Sequence, residues 1–183
     1  MRLTLPNCEV RSWKTSDATS LTLHANNRKI WINLRDAFPH PYTLKDAKGF
    51  IRTALKDRPE CLFAIVVGGE AAGGIGFALH RDVERVSAEI GYWLGEKFWG
   101  QGITSAALQA VTRHAIQAHG LTRIYAVPFE WNHASFRVLE KAGYTLEGRM
   151  RRSALKDGKI IDQLLYAYCV APSGKPSATP ERP

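Results

Sequence analysis

The chain has 183 residues, 45% hydrophobic and 23% charged, the balance of one soluble domain with a sizeable core. No apolar run approaches the ~20 residues that span a bilayer, the opening MRLTLPNCEV has no signal-peptide apolar region, and the three widely spaced cysteines, Cys8, Cys61 and Cys169, read as reduced thiols of a cytoplasmic protein rather than a disulfide frame or zinc site. A formal net charge of +8 and a pI near 9.6 favour anionic partners such as coenzyme A, an acidic peptide, RNA or a ribosome surface. Only Arg149, Arg151 and Arg152 cluster, and no common nucleic-acid recognition motif is visible.

In chain order, residues 9–13 alternate and predict a first strand. Thr15, Ser16 and Asp17 offer N-caps for a short helix through Leu21 and Leu23 that stops at Asn26-Asn27. Residues 28–38 predict one or two helical turns before Pro39 and Pro41 break the chain, with Trp31, Leu34 and Phe38 as core. Thr43 then caps a helix whose apolar positions Leu44, Ala47, Phe50, Ile51, Ala54 and Leu55 keep the helical period. Residues 61–67 are a continuous apolar run of strand length. Gly68-Gly69 turns the chain into a return strand, 71–80, where Gly73, Gly74 and Gly76 predict a bulge or a close approach by another backbone.

Residues 86–94 alternate again, with Val86, Ala88, Ile90, Tyr92 and Leu94 on one face and Ser87, Glu89, Gly91 and Trp93 on the other. From Ile103 the spacing turns helical and ends near His119-Gly120. A strand over 123–128 follows, then a helix capped by Asn132 and terminated by Gly143. Strands over 144–151 and 160–170 are joined around Lys156-Asp157-Gly158-Lys159, a strong hairpin signal. One domain over 1–170 is expected, followed by a disordered tail over 171–183 that holds four prolines and almost nothing to bury.

The chain is organised around Val86 to Leu108, in which the loop Gly95-Glu96-Lys97-Phe98-Trp99-Gly100-Gln101-Gly102 joins a strand to a helix. Backbone N–H groups at such a helix start, with the positive end of the helix dipole, form an anion site; an ordinary tight turn is the plainer reading. A Walker loop would need Lys after Gly102, and a Rossmann fingerprint would need glycine where Ser105 stands. The register Trp99-Gly100-Gln101-Gly102-Ile103-Thr104 instead resembles the acyl-CoA loop of the GNAT superfamily of N-acetyltransferases, Arg/Gln-x-x-Gly-x-Gly/Ala, with departures at Trp99 and Thr104. Trp-Gly-x-Gly is similar to the Rim-type branch, which acetylates protein N-termini. Roughly 30 residues on, the thirteen positions from Asn132 to Tyr144 resemble that branch's Asn-x-x-Ser-x-Arg-Val-Leu-Glu-Lys-x-Gly-Phe. The resemblance, together with the order β-α-α-β-β-β-α-β-α-β-β, implies an α/β (α+β) GNAT acyl-CoA N-acyltransferase fold: a mixed, largely antiparallel central sheet flanked by helices.

The resemblance also implies acetyl-CoA as cosubstrate, no metal, and direct attack by an amine in a ternary complex. The acyl-CoA loop is Trp99, Gly100, Gln101, Gly102, Ile103 and Thr104, with the pyrophosphate falling to N–H groups around Gln101 to Thr104 and the Thr104 hydroxyl as a further donor. The thioester carbonyl falls to backbone N–H groups near Tyr92, Trp93 and Leu94, provided the strand splays there. Asn132 would cap its helix and contact pantetheine. Arg137 and Lys141 either meet the CoA phosphates or lie on an exposed helix face. Where many relatives place a thiolate-protonating Tyr this chain has Leu139, and Ser135 is the Rim-branch substitute. Glu89 leads as general base, against the alternative of a salt-bridged sheet carboxylate, with His80, Glu130 and His133 in reserve. Ala154 stands where the branch can carry a glutamate. The implied acceptor is a protein or peptide N-terminal α-amine. A small-molecule amine, a ribosome-associated substrate, a homodimer, a non-catalytic acyl-CoA-binding module and a basic RNA-associated protein stay open.

Overall fold

Residues 1–171 of the chain are described here from a computed structural model. The tail expected over 171–183 lies outside them apart from Ala171. The elements are β1 (Arg2–Thr4), β2 (Glu9–Ser12), α1 (Ala18–Ala25), α2 (Arg28–Trp31), α3 (Leu44–Lys56), β3 (Leu62–Val67), β4 (Glu70–Leu79), β5 (Ser87–Leu94), α4 (Ile103–His119), β6 (Arg123–Ala126), α5 (His133–Lys141), β7 (Thr145–Lys156) and β8 (Lys159–Cys169). The strands form one eight-stranded sheet in the order β1-β2-β3-β4-β5-β6-β8-β7. Every pair is antiparallel except β5–β6, which the crossover helix α4 makes parallel.

The two faces of the sheet carry separate cores. Val10, Phe63, Ile65, Ile75, Ile90 and Leu94 pack with Ile103, Leu108 and Val111 of α4 and Leu139 of α5. Trp13, Ala64 and Val66 pack with Leu21 of α1 and Ala47, Ile51 and Ala54 of α3. Because β3 feeds both cores from alternate residues, its sequence is a continuous apolar run instead of an alternating one. The glycines of β4 admit a close approach: a Cβ at Gly73 would lie 2.4 Å from the Trp93 carbonyl oxygen, and one at Gly76 would lie 2.7 Å from that of Cys61. The β3–β4 register also shifts between Ile65 and Val66.

Local chemistry sets the helix starts. Thr43 and Asp46 form a reciprocal capping box on α3, the Asp46 carboxylate accepting from the Thr43 N–H at 2.8 Å. At the start of α1 the Asp17 carboxylate accepts from both terminal nitrogens of Arg11 at 2.8 Å, a buried bidentate pair that ties β2 to the helix.

Three expectations need correction. β1 escaped the reading because it is three residues long, too short for a period; its Leu3 packs on the first core. β7 continues past Arg151 to Lys156, since a register shift between Met150 and Ala154, with Arg152 at φ 54, lets the ladder resume. Trp31 is only half-buried, because the Lys156 ammonium takes one face of its ring, 3.8 Å from the centroid. Cys8, Cys61 and Cys169 are free. Among the described residues no helix is long and apolar enough to cross a membrane.

Candidate active site

The site begins where β5 loses one of its neighbours. Its ladder with β4 runs to Leu94, opposite Gly73, but its pairing with β6 stops at Glu89, opposite Tyr125. Beyond Glu89 the two parallel strands part. The Gly95 N–H donates to Ala72 on β4 at 2.8 Å, whereas the Leu94 carbonyl accepts from the Trp99 indole at 2.7 Å. Since strand backbone groups alternate sides, the N–H groups of Tyr92 and Leu94 face the opening. The splay needed for a carbonyl-polarising site is therefore present.

The loop after β5 makes a single 3₁₀ turn, Glu96–Phe98, and the Trp99 indole bond folds it back on the strand end. Gly100 and Gly102 have φ of 76° and 75°, which favour glycine, and a Cβ on either would meet nothing within 4 Å. Gly102 is the N-cap of α4 and offers no side chain, and the first bond into the helix comes from the Ala106 N–H at 3.1 Å. The N–H groups of Ile103, Thr104 and Ser105 are thus without partners among the described residues, at the positive end of a 17-residue helix. Buried Ile103 anchors that helix start in the core. The result is a helix start whose free backbone N–H groups, next to open space at Gly100 and Gly102, can take an anion.

Helix α5 crosses the same face of the sheet. The Asn132 side chain accepts from the Ser135 N–H at 3.2 Å, the expected cap. The Ser135 hydroxyl lies 2.8 Å from the Tyr92 hydroxyl. Burial pushes the Tyr92 phenol well above its ordinary range, against the smaller opposing pull of its bond to Ser135, so it stays protonated. Arg137 and Lys141 are exposed and carry no ion pair among the described residues.

Glu89 lies on the opposite face, with Gly91 and Trp93, at the last rung before the strands part. Its carboxylate is held by Arg35 from the segment between α2 and α3. Beside it Gly91 leaves a hollow, for a Cβ there would meet nothing within 4 Å. The His80 ring stacks on Tyr125 and its Nε2 sits 2.9 Å from that hydroxyl; burial, then the charge of Glu89, raises the Tyr125 phenol. A cleft of about 230 Å³ opens nearby, lined by Arg35, Asp36, Phe129, Ala154, Lys156 and Gln163 among others.

The expected residues thus divide between the two faces of one opening. Tyr92, Leu94, the glycine loop, Asn132 and Ser135 gather on the α4–α5 side, and Glu89 faces the other. Two reserve candidates have structural duties: Glu130 holds Arg149 at 2.6 Å and accepts from the Asp162 N–H, and His80 is taken by Tyr125. His133 is exposed against Phe136. Sequence reasoning missed the Tyr92 phenol, which sat inside an apolar alternation, and Arg35, which sat in a segment without a period.

Residues 7–145 match the acetyltransferase (GNAT) domain family. The [ribosomal protein uS5]-alanine N-acetyltransferase of Escherichia coli is 30% identical over 175 residues, 91% of this chain and 90% of that protein. The ribosomal-protein-serine acetyltransferase of Escherichia coli is 36% identical over 109 residues, 60% of each chain. Several curated relatives are matched over only 55–60% of their own length. Among solved structures, the ribosomal L7/L12 α-N-protein acetyltransferase RimL in complex with coenzyme A superposes with a TM-score of 0.81 at 26% identity, covering 93% of this chain and 98% of that one.

Proposed function

The chain belongs to the GNAT acetyltransferase family, and from that premise we propose that it transfers an acetyl group from acetyl-CoA to the α-amine of a protein or peptide N-terminus, by direct attack in a ternary complex. The observation that carries this reading is the parting of β5 from β6 beyond Glu89, with an anion bay on one side and a carboxylate on the other. Acetyl-CoA, when bound, supplies a thioester whose carbonyl carbon takes the amine and whose thiol leaves.

The protein's part follows from position. The unpartnered N–H groups of Ile103, Thr104 and Ser105 hold the pyrophosphate, with Gly100 and Gly102 admitting it close to the backbone, and Arg137 and Lys141 stand available to further phosphates. The Tyr92 and Leu94 N–H groups take up the charge that develops on the carbonyl oxygen. Ser135, one turn into α5, donates to the departing sulfur, and the Tyr92 hydroxyl orients it. Glu89 accepts the amine's proton. An α-amine with a pKa near 8 asks little of that base, which suits an N-terminus better than a lysine near 10.4. Two relatives are named for ribosomal proteins, so ribosomal-protein N-termini are the first acceptors to test.

A ligand that binds only the folded chain raises its stability by RT ln(1 + [L]/Kd), about 2.7 kcal/mol at 100 Kd. Millimolar acetyl-CoA should raise the melting temperature, dephospho-CoA should do so less, and N-terminal peptides should release free thiol. Absence of both the shift and the thiol overturns the reading.

A further inference from the structure

Resting on the reading that Glu89 receives the amine's proton, we propose that Arg35 selects the acceptor: the favoured peptide carries a carboxylate side chain at its second residue, and this group draws Arg35 away from Glu89. The Arg35 guanidinium is 68% exposed and pairs with a Glu89 side chain that is 25% exposed. A carboxylate whose lone pairs hold a guanidinium has fewer left for an incoming ammonium, and the two cations repel. Something has to take Arg35, and a second carboxylate can replace the first, in the one-bond contact Glu89 now makes or as a two-bond fork.

The surroundings of Arg35 support such an exchange. The backbone on both sides of it is pinned: the Asn33 side chain accepts from the Trp131 indole at 3.1 Å, and the Asp36 carboxylate accepts from the Lys156 ammonium at 2.7 Å. Lys156 is itself 1% exposed and covered by Trp31, and Arg28 reaches Asp157 at 2.6 Å. The segment is therefore fixed, while the exposed Arg35 side chain is tied only through its contact with Glu89. It borders both Glu89 and the 230 Å³ cleft. The charged groups lining that cleft are Arg35, Asp36 and Lys156. Lys156 and Asp36 neutralise each other, so Arg35 becomes the net positive charge of the cleft once it leaves Glu89. Gln163 adds an amide whose oxygen already accepts from Ser153 at 3.1 Å. An extended peptide advances about 3.5 Å per residue, so a side chain on the second residue stays within a few ångströms of the amine that meets Glu89.

The test uses three synthetic peptides of one sequence that differ only in glutamate, glutamine or lysine at the second position, with thiol release as the readout. With the wild-type protein kcat/KM should be about tenfold higher for glutamate than for glutamine, the scale of a hydrogen bond between charged groups, and lower again for lysine. In Arg35→Gln the glutamate-to-glutamine ratio should fall to about one and the glutamine peptide should react faster than with wild type, because Glu89 is released. Arg35→Lys should keep the order, and Glu89→Gln should slow all three peptides yet keep it. Equal rates with wild type, or an unchanged order in Arg35→Gln, overturn this inference alone. No thiol release from any of the peptides, by protein that acetyl-CoA stabilises, overturns the acceptor reading and this inference with it.

Discussion

Replacing Ser135 with alanine removes one hydroxyl whose recorded side-chain partner is the Tyr92 phenol at 2.8 Å. The cap of α5 survives, because the bond from the Asn132 side chain goes to the Ser135 backbone N–H. The Tyr92 hydroxyl keeps only the Ser135 carbonyl at 3.4 Å, so the melting temperature should fall by a few degrees with the helix intact, and a kinetic effect measured well below it belongs to the hydroxyl. A neutral thioester sulfur is a poor acceptor, whereas the departing thiolate is charged, and a hydrogen bond to a charged group contributes about 1.5–3 kcal/mol. At 1.36 kcal/mol per factor of ten, kcat should fall by roughly 10- to 150-fold while acetyl-CoA affinity is kept. Tyr92→Phe takes away only the orienting partner, a neutral bond of about 0.5–1.5 kcal/mol, so kcat should drop by about 2- to 10-fold. Because the two groups act as one unit, the double variant should be no slower than Ser135→Ala alone. The assay is thiol release at saturating acetyl-CoA, repeated with acyl donors whose thiols leave more readily, on which the Ser135→Ala loss should shrink. A Ser135→Ala protein with unchanged kcat and a raised KM refutes this role for the serine.

Four further outcomes follow from other parts of the structure. Gly102→Val forces a branched residue to φ 75° and fills the bay, so it should abolish the acetyl-CoA melting shift; a retained shift means that the phosphates bind elsewhere. A Cβ at Gly91 meets no atom within 4 Å, so in Gly91→Val the fold and the acetyl-CoA shift should persist while kcat/KM for peptides falls, and unimpaired peptide turnover would remove the hollow from the acceptor's path. Glu89→Gln should lower kcat on the order of 10²-fold, most at low pH where fewer amines are already neutral, and a pH–rate profile parallel to wild type would end its candidacy as base. For Asp17, burial raises the carboxyl's pKa, but the Arg11 bonds and the Lys14 N–H outweigh it and hold the carboxyl below the usual range. Such a group adds stability above its unfolded pKa near 3.9 and loses it as the pH falls through the folded value. Asp17→Asn should thus cost about 3–5 kcal/mol at pH 7 in chemical denaturation, a gap that narrows below pH 4; an equal gap at pH 3 would contradict the linkage.

How far the sequence reaches depends on the range of the interaction. The caps at Thr43 and Asn132, the positive-φ glycine before α4 and the hairpin at Asp157-Gly158 were legible because each acts within a few residues, through backbone geometry or a side chain reaching its own helix start. The face assignments along 86–94 were legible too, since alternation is a property of the strand itself. Glu89 could be singled out from its place on the central strand opposite the apolar set, and Ser135 from the resemblance, but not what each touches.

That was left to the tertiary structure. The opening at β5 exists because its pairing with β6 ends at Glu89, five rungs sooner than its ladder with β4, which runs to Leu94, and strand register is a long-range property no local window contains. The Tyr92–Ser135 contact joins residues 43 apart, Arg35–Glu89 joins residues 54 apart, and Lys156–Asp36 joins residues 120 apart. The residue types, the caps and the two faces of the strand are properties of the chain; which groups meet across the opening was decided only when the sheet brought those segments together, because burial and pairing at that range depend on the whole fold.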